Sequence, residues 1–520
     1  MNTDSTVPIA DLRMSLSDLL GEEYIQAACE ARAFIEGRDP QFLRDLAEER
    51  IAFYPEEFQK RVDELVEYIG KLVCGGYGHS SQGSSTSAFR HAAKTQMSPL
   101  TGLGCFRVGE DGKLYLISKS EHYHASLGHS FPGYALLDRA RSLGIPNATH
   151  NNTRGHITRV LEKELIRTVN GLKKDDKQGL QQILESSEPH VLNRVLNLET
   201  GSLAVEAALK MMLARFYRLE KTFDPPKYYG KVPVFLVIAD NDGGKEANYH
   251  GTTILTQAMR GLWPEFYAGL EAQKLMLVQS VNINDIGDFE RKMAAYDTGE
   301  YKVAGFFHEI ILMNYGGVRL REDFLQWAYT CCRERDVPII VDEIQSCIWS
   351  PELFLFKEYG LTPDFVSLGK GFPGGEYPAS RLITTAPMDN LNQFGALVTN
   401  GQEELASLAY LITMEFAQAN AQHTKAIGEF YEQELRTLAR KYPHLLDRIE
   451  GQRHLSALYF FAAEKAVAFC KHLNKQGIDI SAQTYKAQCP PSALTKLPLT
   501  ASAKMVEFVI SKMDQVLRTL

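Results

Sequence analysis

Three features are scarce in this chain of 520 residues: cysteine, an excess of basic charge, and long apolar runs. Eight cysteines are too few for a disulfide scaffold in a chain of this length, which favours a reducing compartment. Lys and Arg number 56 against 64 Asp and Glu, so the net charge of −8 indicates no nucleic-acid partner. Apolar runs such as 232–239 and 337–341 are far shorter than the roughly 20 residues of a membrane-spanning helix. We therefore expect a protein that binds neither nucleic acid nor a membrane.

The N-terminal sequence MNTDSTVPIADLRMS carries acidic residues where a signal peptide would have a basic region followed by an apolar one. We therefore expect a cytoplasmic protein. At about 150 residues per domain, the length predicts two to four domains, which is ample for a buried core.

Hydrophobic spacing divides the chain into regions of different character. Residues 12–73 place apolar side chains three and four positions apart, which predicts amphipathic helices, and the Gly/Ser-rich stretch 74–90 follows them. Residues 191–381 alternate short apolar runs with helical segments, which is typical of a mostly parallel sheet covered on both faces. From about residue 400 onward, a long helix, a few strands and a closing helix indicate a smaller α+β domain.

Two kinds of candidate site occur in the α/β region. Thr200, Gly201 and Ser202 directly precede a periodic helix, so backbone N–H groups and hydroxyls converge as they would around an anion. The same turn also fits simple N-capping of the helix. Asp342 and Gln345 come at the end of the apolar strand in "PIIVDEIQSC", where ligands bind in open α/β sheets, although such a carboxylate also serves as a helix cap.

A lysine stands at the end of the next apolar strand. Lys370 lies among glycines 369, 371, 374 and 375 in "DFVSLGKGFPGGEYPAS", so its amine is sterically free to react with a carbonyl. Asp342 and Lys370 are 28 positions apart.

These strings together resemble the class III aminotransferase family, the ω-transaminase and ornithine-aminotransferase-like branch of fold type I pyridoxal-phosphate (PLP) enzymes. "VDEIQ" and "SLGKGFPGGEYP" are similar to the family's DE[VI]Q motif and its lysine motif at the family's spacing. "LGHSFPG" at 127–133 looks like LGHxHP, "ANYHGTT" at 247–253 looks like its aromatic-HG element, and "ETGSLAVEAALK" looks like its phosphate cup. The resemblance runs from about residue 103 to the C-terminus.

The resemblance implies an α/β fold of type I: a large domain with a mostly parallel seven-stranded sheet, a smaller α+β domain, and here a helical N-terminal extension. It also implies a homodimer with active sites shared across the interface, and pyridoxal 5'-phosphate as cofactor. The expected division is 1–95 for the helical extension, 96–190 for the N-terminal part of the small domain with dimer and substrate loops, 191–400 for the large PLP-binding domain, and 401–520 for the C-terminal small domain.

The family pattern also implies roles at the cofactor ring. Lys370 would form the Schiff base with PLP and move the proton of the substrate carbon. Asp342 would pair with the pyridine nitrogen and keep it protonated. Gln345 would contact the ring hydroxyl, and Tyr249 would stack on the ring face, the alternative for Tyr249 being an ordinary core aromatic.

Other matched positions would hold the phosphate. Gly201 and Ser202 would bind it through backbone and hydroxyl groups. Thr399 in "LVTNGQEELA" matches the threonine that reaches the phosphate of the neighbouring subunit. Glu309 in "FFHEII" matches an acidic residue that positions Asp342 or Gln345, and a plain structural salt bridge is the alternative.

Substrate-facing motifs depart from the family pattern. Where many members have an arginine before PPL that grips a carboxylate, this chain has "LTKLPLT", so Lys496 and, in "HNNTRGH", Arg154 are the candidate anion-binding residues. His122, His124 and His129 cluster in sequence, but no carboxylate or cysteine pattern completes a metal site, and we expect none.

The predicted function is PLP-dependent transfer of an amino group from an amine or amino acid to a keto acid or aldehyde. A PLP racemase, aminomutase, decarboxylase or lyase on the same scaffold is the alternative within enzymes. A non-catalytic binding or scaffold protein is the alternative outside them, although such a protein has no need of Lys370 and Asp342.

Overall fold

A computed structural model describes residues 7–81, 83–92, 94–120, 124–483 and 491–520. Its helices are α1 (Leu16–Leu20), α2 (Glu22–Glu36), α3 (Pro40–Glu48), α4 (Glu56–Leu65), α5 (Ser87–Ala92), α6 (Ala135–Ser142), α7 (His156–Val169), α8 (Lys177–Glu185), α9 (Gly201–Leu213), α10 (Ile254–Ala258), α11 (Pro264–Ala272), α12 (Ile286–Tyr296), α13 (Glu322–Glu334), α14 (Leu355–Glu358), α15 (Glu404–Ala419), α16 (Ala421–Lys441), α17 (Ala463–Lys475) and α18 (Ala503–Leu517). Its strands are β1 (Arg13–Met14), β2 (Ile51–Ala52), β3 (Pro99–Leu103), β4 (Phe106–Gly109), β5 (Leu114–Leu116), β6 (Leu192–Leu198), β7 (Val232–Ile238), β8 (Leu277–Val281), β9 (Tyr301–His308), β10 (Ile311–Leu312), β11 (Val318–Arg319), β12 (Ile339–Asp342), β13 (Phe365–Leu368), β14 (Ser380–Thr385), β15 (Leu446–Glu450), β16 (Ala457–Phe460), β17 (Ser481–Gln483) and β18 (Ser492–Leu494).

The largest sheet has seven strands in the order β6-β14-β13-β12-β9-β7-β8. Neighbours from β13 to β8 run parallel, whereas β14 runs antiparallel to both β13 and β6. All seven residues of β7 are buried, as expected of a strand covered by helices on both faces. The predicted mostly parallel seven-stranded sheet is confirmed.

Two smaller antiparallel sheets flank the large one. The first has the order β15-β16-β18-β17 and packs against α16 and α17, as the pattern of the C-terminal part predicts. The second is β3-β4-β5, in which a turn at Asp111 and Gly112 joins β4 to β5. Gly112 has a φ of 77°, which a residue with a side chain would adopt only with strain.

The helices α1 to α3 pack against one another at the N-terminal end of the described chain. Ser15 and Asp18 form a capping box at the start of α1, and Gly37 ends α2 in the left-handed conformation. This region is tied to a distant part of the sequence, because the backbone N–H of Ala10 donates to Asn420 Oδ1 at 2.8 Å.

The core lies on both faces of the large sheet. Aromatic pairs pack edge to face within it. The ring centroids are 5.7 Å apart in the pair Phe235 and Phe307, and 5.1 Å apart in the pair Phe289 and Phe306. Among the described residues, no helix combines the length and the apolar character needed to cross a bilayer.

Candidate active site

The carboxyl ends of three neighbouring strands meet at one edge of the large sheet. Strand β12 ends at Asp342, β13 ends just before Gly369 and Lys370, and β9 ends just before Glu309. Because β12 and β13 are parallel and adjacent, with Asp342 opposite Ser367, the aspartate and the lysine face the same space.

That space is a cavity of about 450 Å³. Six of the candidate residues from the sequence line it together: Lys370, Asp342, Thr200, Gly201, Ser202 and Tyr249. The volume lies within the range of about 300–1,000 Å³ that is usual for small-molecule sites.

Lys370 is held in an uncommon backbone conformation, with a φ of 42°. Burial lowers the pKa of its amine below the usual value, while the negative charges of Glu309 and Asp342 act in the opposite direction. A lower pKa increases the fraction of neutral amine, which is the nucleophilic form.

Asp342 is 2% exposed, and both of its carboxylate oxygens are engaged. His250 Nδ1–H donates to Oδ2 at 3.0 Å. The hydroxyl of Ser367 donates to Oδ1, which also accepts from the backbone N–H of Ile344 at 3.2 Å. These bonds fix the carboxylate at the cavity wall, where it can face a protonated nitrogen.

The opposite end of the cavity is formed by the start of α9. Glycines allow close packing here, because a Cβ on Gly201 would lie 2.7 Å from Ile344 Cγ1 and one on Gly251 would lie 2.8 Å from Ser202 Cα. Gly251 also has a φ of 138°. The backbone N–H of Thr252 donates to Ser202 Oγ at 3.1 Å. Backbone N–H groups and a hydroxyl at a helix start are suited to a phosphate.

Tyr249 contributes one aromatic wall of the cavity. The guanidinium of Arg260 lies over its ring, with 4.9 Å between Cζ and the ring centroid. The arginine therefore restrains the ring from outside the cavity.

Glu309 and Gln345 lie behind the cavity wall, since both are 2% exposed and neither lines the cavity. Gln345 Nε2 donates to Glu309 Oε1 at 3.0 Å. Lys496 is fully buried, donates to the backbone oxygen of Gln345, and lies 3.6 Å from the ring centroid of Trp349. Burial lowers the pKa of Lys496 well below its usual value. The structure therefore places Lys496 as a support of the loop after β12, outside the cavity lining.

Two other predicted residues lie apart from the cavity of this chain. Arg154 Nη1 forms an ion pair with Glu162 Oε1 at 3.2 Å, and Glu162 also accepts from Asn197 Nδ2. Thr399 is exposed on the surface. Neither residue lines the cavity, so their roles toward substrate and phosphate stay predictions.

Sequence reasoning missed four ionisable residues of the cavity lining: His250, Glu199, His124 and Tyr377. His250 stands inside the "ANYHGTT" string, but only the fold reveals its bond to the aspartate. Glu199 adds a negative charge beside the helix start. His124 was weighed only as a metal ligand, and its sequence neighbour His122 lies outside the described residues.

A family model described as aminotransferase class-III matches residues 132–488, which is more than half of the chain. The acetylornithine aminotransferase of Aquifex aeolicus strain VF5 is 23% identical over 388 residues, covering 74% of this chain and 91% of the relative. The putrescine aminotransferase of Pectobacterium atrosepticum is 26% identical over 397 residues, covering 75% of this chain and 80% of the relative. The crystal structure of ornithine aminotransferase from Toxoplasma gondii ME49 matches with a TM-score of 0.66 at 20% identity, covering 83% of this chain and 94% of that one.

Proposed function

The chain belongs to the class III aminotransferase family, and from that premise we propose that its cavity transfers an amino group from an amine or amino acid to a keto acid or aldehyde, with Lys370 as the reactive amine. One observation carries the proposal. A single cavity is walled by Lys370, by the buried carboxylate of Asp342, and by the helix start at Gly201 and Ser202. An amine, an acidic partner and an anion site are the three groups that the family's reaction needs.

The enzymes of this family use pyridoxal 5'-phosphate, and the residues present fit it. Gly201 and Ser202 would hold the phosphate, Tyr249 would cover a ring face, and Asp342 would hold a proton on the ring nitrogen. Both glycines allow the close approach of chain segments that shapes this end of the cavity, since a Cβ at Gly201 would meet Ile344 and one at Gly251 would meet Ser202. The cofactor supplies an aldehyde that condenses with amines and a ring that takes up the electrons released at the amine carbon.

The side chains of this chain handle the protons. Lys370 Nζ is the base that we assign to take the proton from the substrate carbon, and the lowered pKa of its amine supports that role. His250 and Ser367 orient the carboxylate of Asp342, which would pair with the protonated ring nitrogen. Glu309 and Gln345 are positioning residues in this scheme, since they lie behind the wall.

The finer features of the assembly belong to the same proposal. We assign the exposed Thr399 to the phosphate of a neighbouring subunit, which makes the enzyme a homodimer with shared active sites. The division at residues 95, 190 and 400 is retained with it, as are candidate substrate roles for Arg154 and Lys496. Both residues are bonded to other groups of this chain. A substrate carboxylate would have to displace Arg154 from Glu162, or Lys496 from the backbone oxygen of Gln345.

The proposal is tested on the purified enzyme and its Lys370→Ala variant, with Lys512→Ala as a surface lysine control. Borohydride should attach the cofactor covalently to the wild type and to the control, and not to Lys370→Ala. A panel of amines and amino acids, added without acceptor, should then convert the bound cofactor to pyridoxamine phosphate with at least one donor. Covalent attachment that survives Lys370→Ala contradicts the assignment of the lysine. Donors that react but leave all cofactor as pyridoxal phosphate indicate a racemase, decarboxylase or lyase instead.

A further inference from the structure

A second cavity, of about 570 Å³, lies between the β4–β5 hairpin and the C-terminal sheet. Four lysines line it: Lys94 and Lys113 from the hairpin side, and Lys471 and Lys475 from α17. Lys471 and Lys475 are one helical turn apart on the same wall of the cavity, so their positive charges repel each other.

Only one carboxylate, that of Asp111, belongs to the described lining of this cavity. It is already engaged, because Tyr115 Oη–H donates to Oδ2 at 2.7 Å and the backbone N–H of Lys113 donates to Oδ1 at 3.1 Å. The Lys113 ammonium lies 3.7 Å from Asp111 Oδ2. Against one carboxylate, the four lysines leave a strong excess of positive charge.

A fifth lysine lies deeper in the same region. Lys119 is only 7% exposed, and burial lowers the pKa of its ammonium, with the positive charge of Lys94 acting in the same direction. Asp479 opposes that shift, yet its carboxylate is already paired with Arg107 at 2.9 Å. The protein therefore retains like charges here at a cost in stability that a bound anion would offset.

We propose that this cavity is an anion site for a ligand with at least two linked phosphoryl groups. Lysine ammoniums contributed by separate chain segments are suited to phosphate oxygens spread over several ångströms, because each acts as a compact point charge with three donors. The apolar side chains of Val467 and Ile480 complete the lining, so an organic group attached to the phosphates would also find contact.

This site is separate from the one that the proposed function assigns to the cofactor, because the two cavities share no lining residue among those described. The test can therefore use the enzyme with its cofactor bound, so that the cofactor site is filled. If no anion binds in the second cavity, the proposal that the first cavity transfers an amino group is not affected.

The probe is pyrophosphate without divalent metal, titrated into the cofactor-loaded enzyme by isothermal calorimetry at low ionic strength. We compare the wild type with Lys471→Ala/Lys475→Ala and with the control Lys163→Ala/Lys425→Ala, which removes the same charge from exposed positions on α7 and α16. The cavity variant should bind pyrophosphate at least about tenfold more weakly, and the control within about twofold of the wild type. Added salt should weaken the wild-type affinity steeply.

Thermal unfolding and the cofactor absorption of each variant establish that it is folded, and Lys475→Arg, which keeps the charge, should keep the affinity. No saturable pyrophosphate binding to the wild type at millimolar concentration overturns the proposal, as does equal affinity in the cavity variant. Inorganic phosphate that binds as tightly as pyrophosphate refutes the requirement for two phosphoryl groups. A nucleoside triphosphate that binds more tightly than pyrophosphate supports an attached organic group.

Discussion

Glu343 follows Asp342 directly and is fully buried, which makes its ionisation a measurable property of the fold. Burial raises the pKa of its carboxyl from 4.5 to about 7, and the nearby charge of Glu358 acts in the same direction. Hydrogen bonds from Phe356 N at 2.6 Å and Ser346 Oγ at 2.5 Å oppose the shift without cancelling it.

The sign follows from proton binding. The unfolded chain loses this proton near pH 4.5, whereas the folded chain keeps it until about pH 7, so the free energy of unfolding falls as pH rises through that window. Each pKa unit corresponds to about 1.4 kcal/mol. At pH 8 the shift therefore lowers the free energy of unfolding by roughly 3 kcal/mol, relative to a chain in which residue 343 does not ionise. Glu343→Gln has no proton to lose and should escape the decline.

The assay is urea unfolding of the cofactor-loaded enzyme and of Glu343→Gln at intervals from pH 5 to pH 8.5. The difference in unfolding free energy should be small near pH 5 and should grow to roughly 3 kcal/mol in favour of the variant at pH 8. Glu352→Gln, which changes an exposed carboxylate near Lys357, should give a curve parallel to the wild type. Parallel curves for Glu343→Gln as well would refute the reasoning, because they would mean that Glu343 ionises alike in both states.

Two further changes probe the cavity itself. Gly251→Ala places a Cβ about 2.8 Å from Ser202 Cα at a φ of 138°. The change should lower the free energy of unfolding by about 1–3 kcal/mol and speed the loss of cofactor in dialysis. Both effects should be larger than those of Gly230→Ala, because residue 230 also has a positive φ but has open space around its Cβ position. Equal effects of the two glycine changes would assign the loss to backbone strain alone. Ser367→Ala removes a hydroxyl bond to the carboxylate of Asp342 and should lower kcat about tenfold, with recovery in Ser367→Thr. An unchanged kcat in Ser367→Ala would show that the remaining bonds hold the carboxylate.

The strands of the large sheet were predictable because each is a short apolar run between helical segments. The runs at 232–239 and 337–341 contain β7 and most of β12. Their order in the sheet was accessible only through the family resemblance, since it depends on pairings between distant segments. Strand β14 illustrates the limit, because nothing in "ASRLITT" tells that it runs antiparallel between β13 and β6.

The candidate site, like the sheet, was only partly predictable from the sequence. The spacing of Asp342 and Lys370 predicted two residues that do line one cavity. His250 was missed as the partner of Asp342 because their bond joins positions 92 residues apart. Lys496 was predicted to face substrate, and its burial beside Trp349 depends on packing that no local pattern encodes. The four-part division of the chain stays a prediction.

The bond between Ala10 and Asn420 has a consequence for biosynthesis. A ribosome adds about 5–20 residues per second, so roughly 20–80 seconds pass between the emergence of these two partners, which are 410 positions apart. During that interval, α1 and α3 can already contact α6, but the tie of the N-terminal segment to Asn420 cannot yet form. The N-terminal segment is thus made well before Asn420, and its final anchoring waits until that residue has emerged.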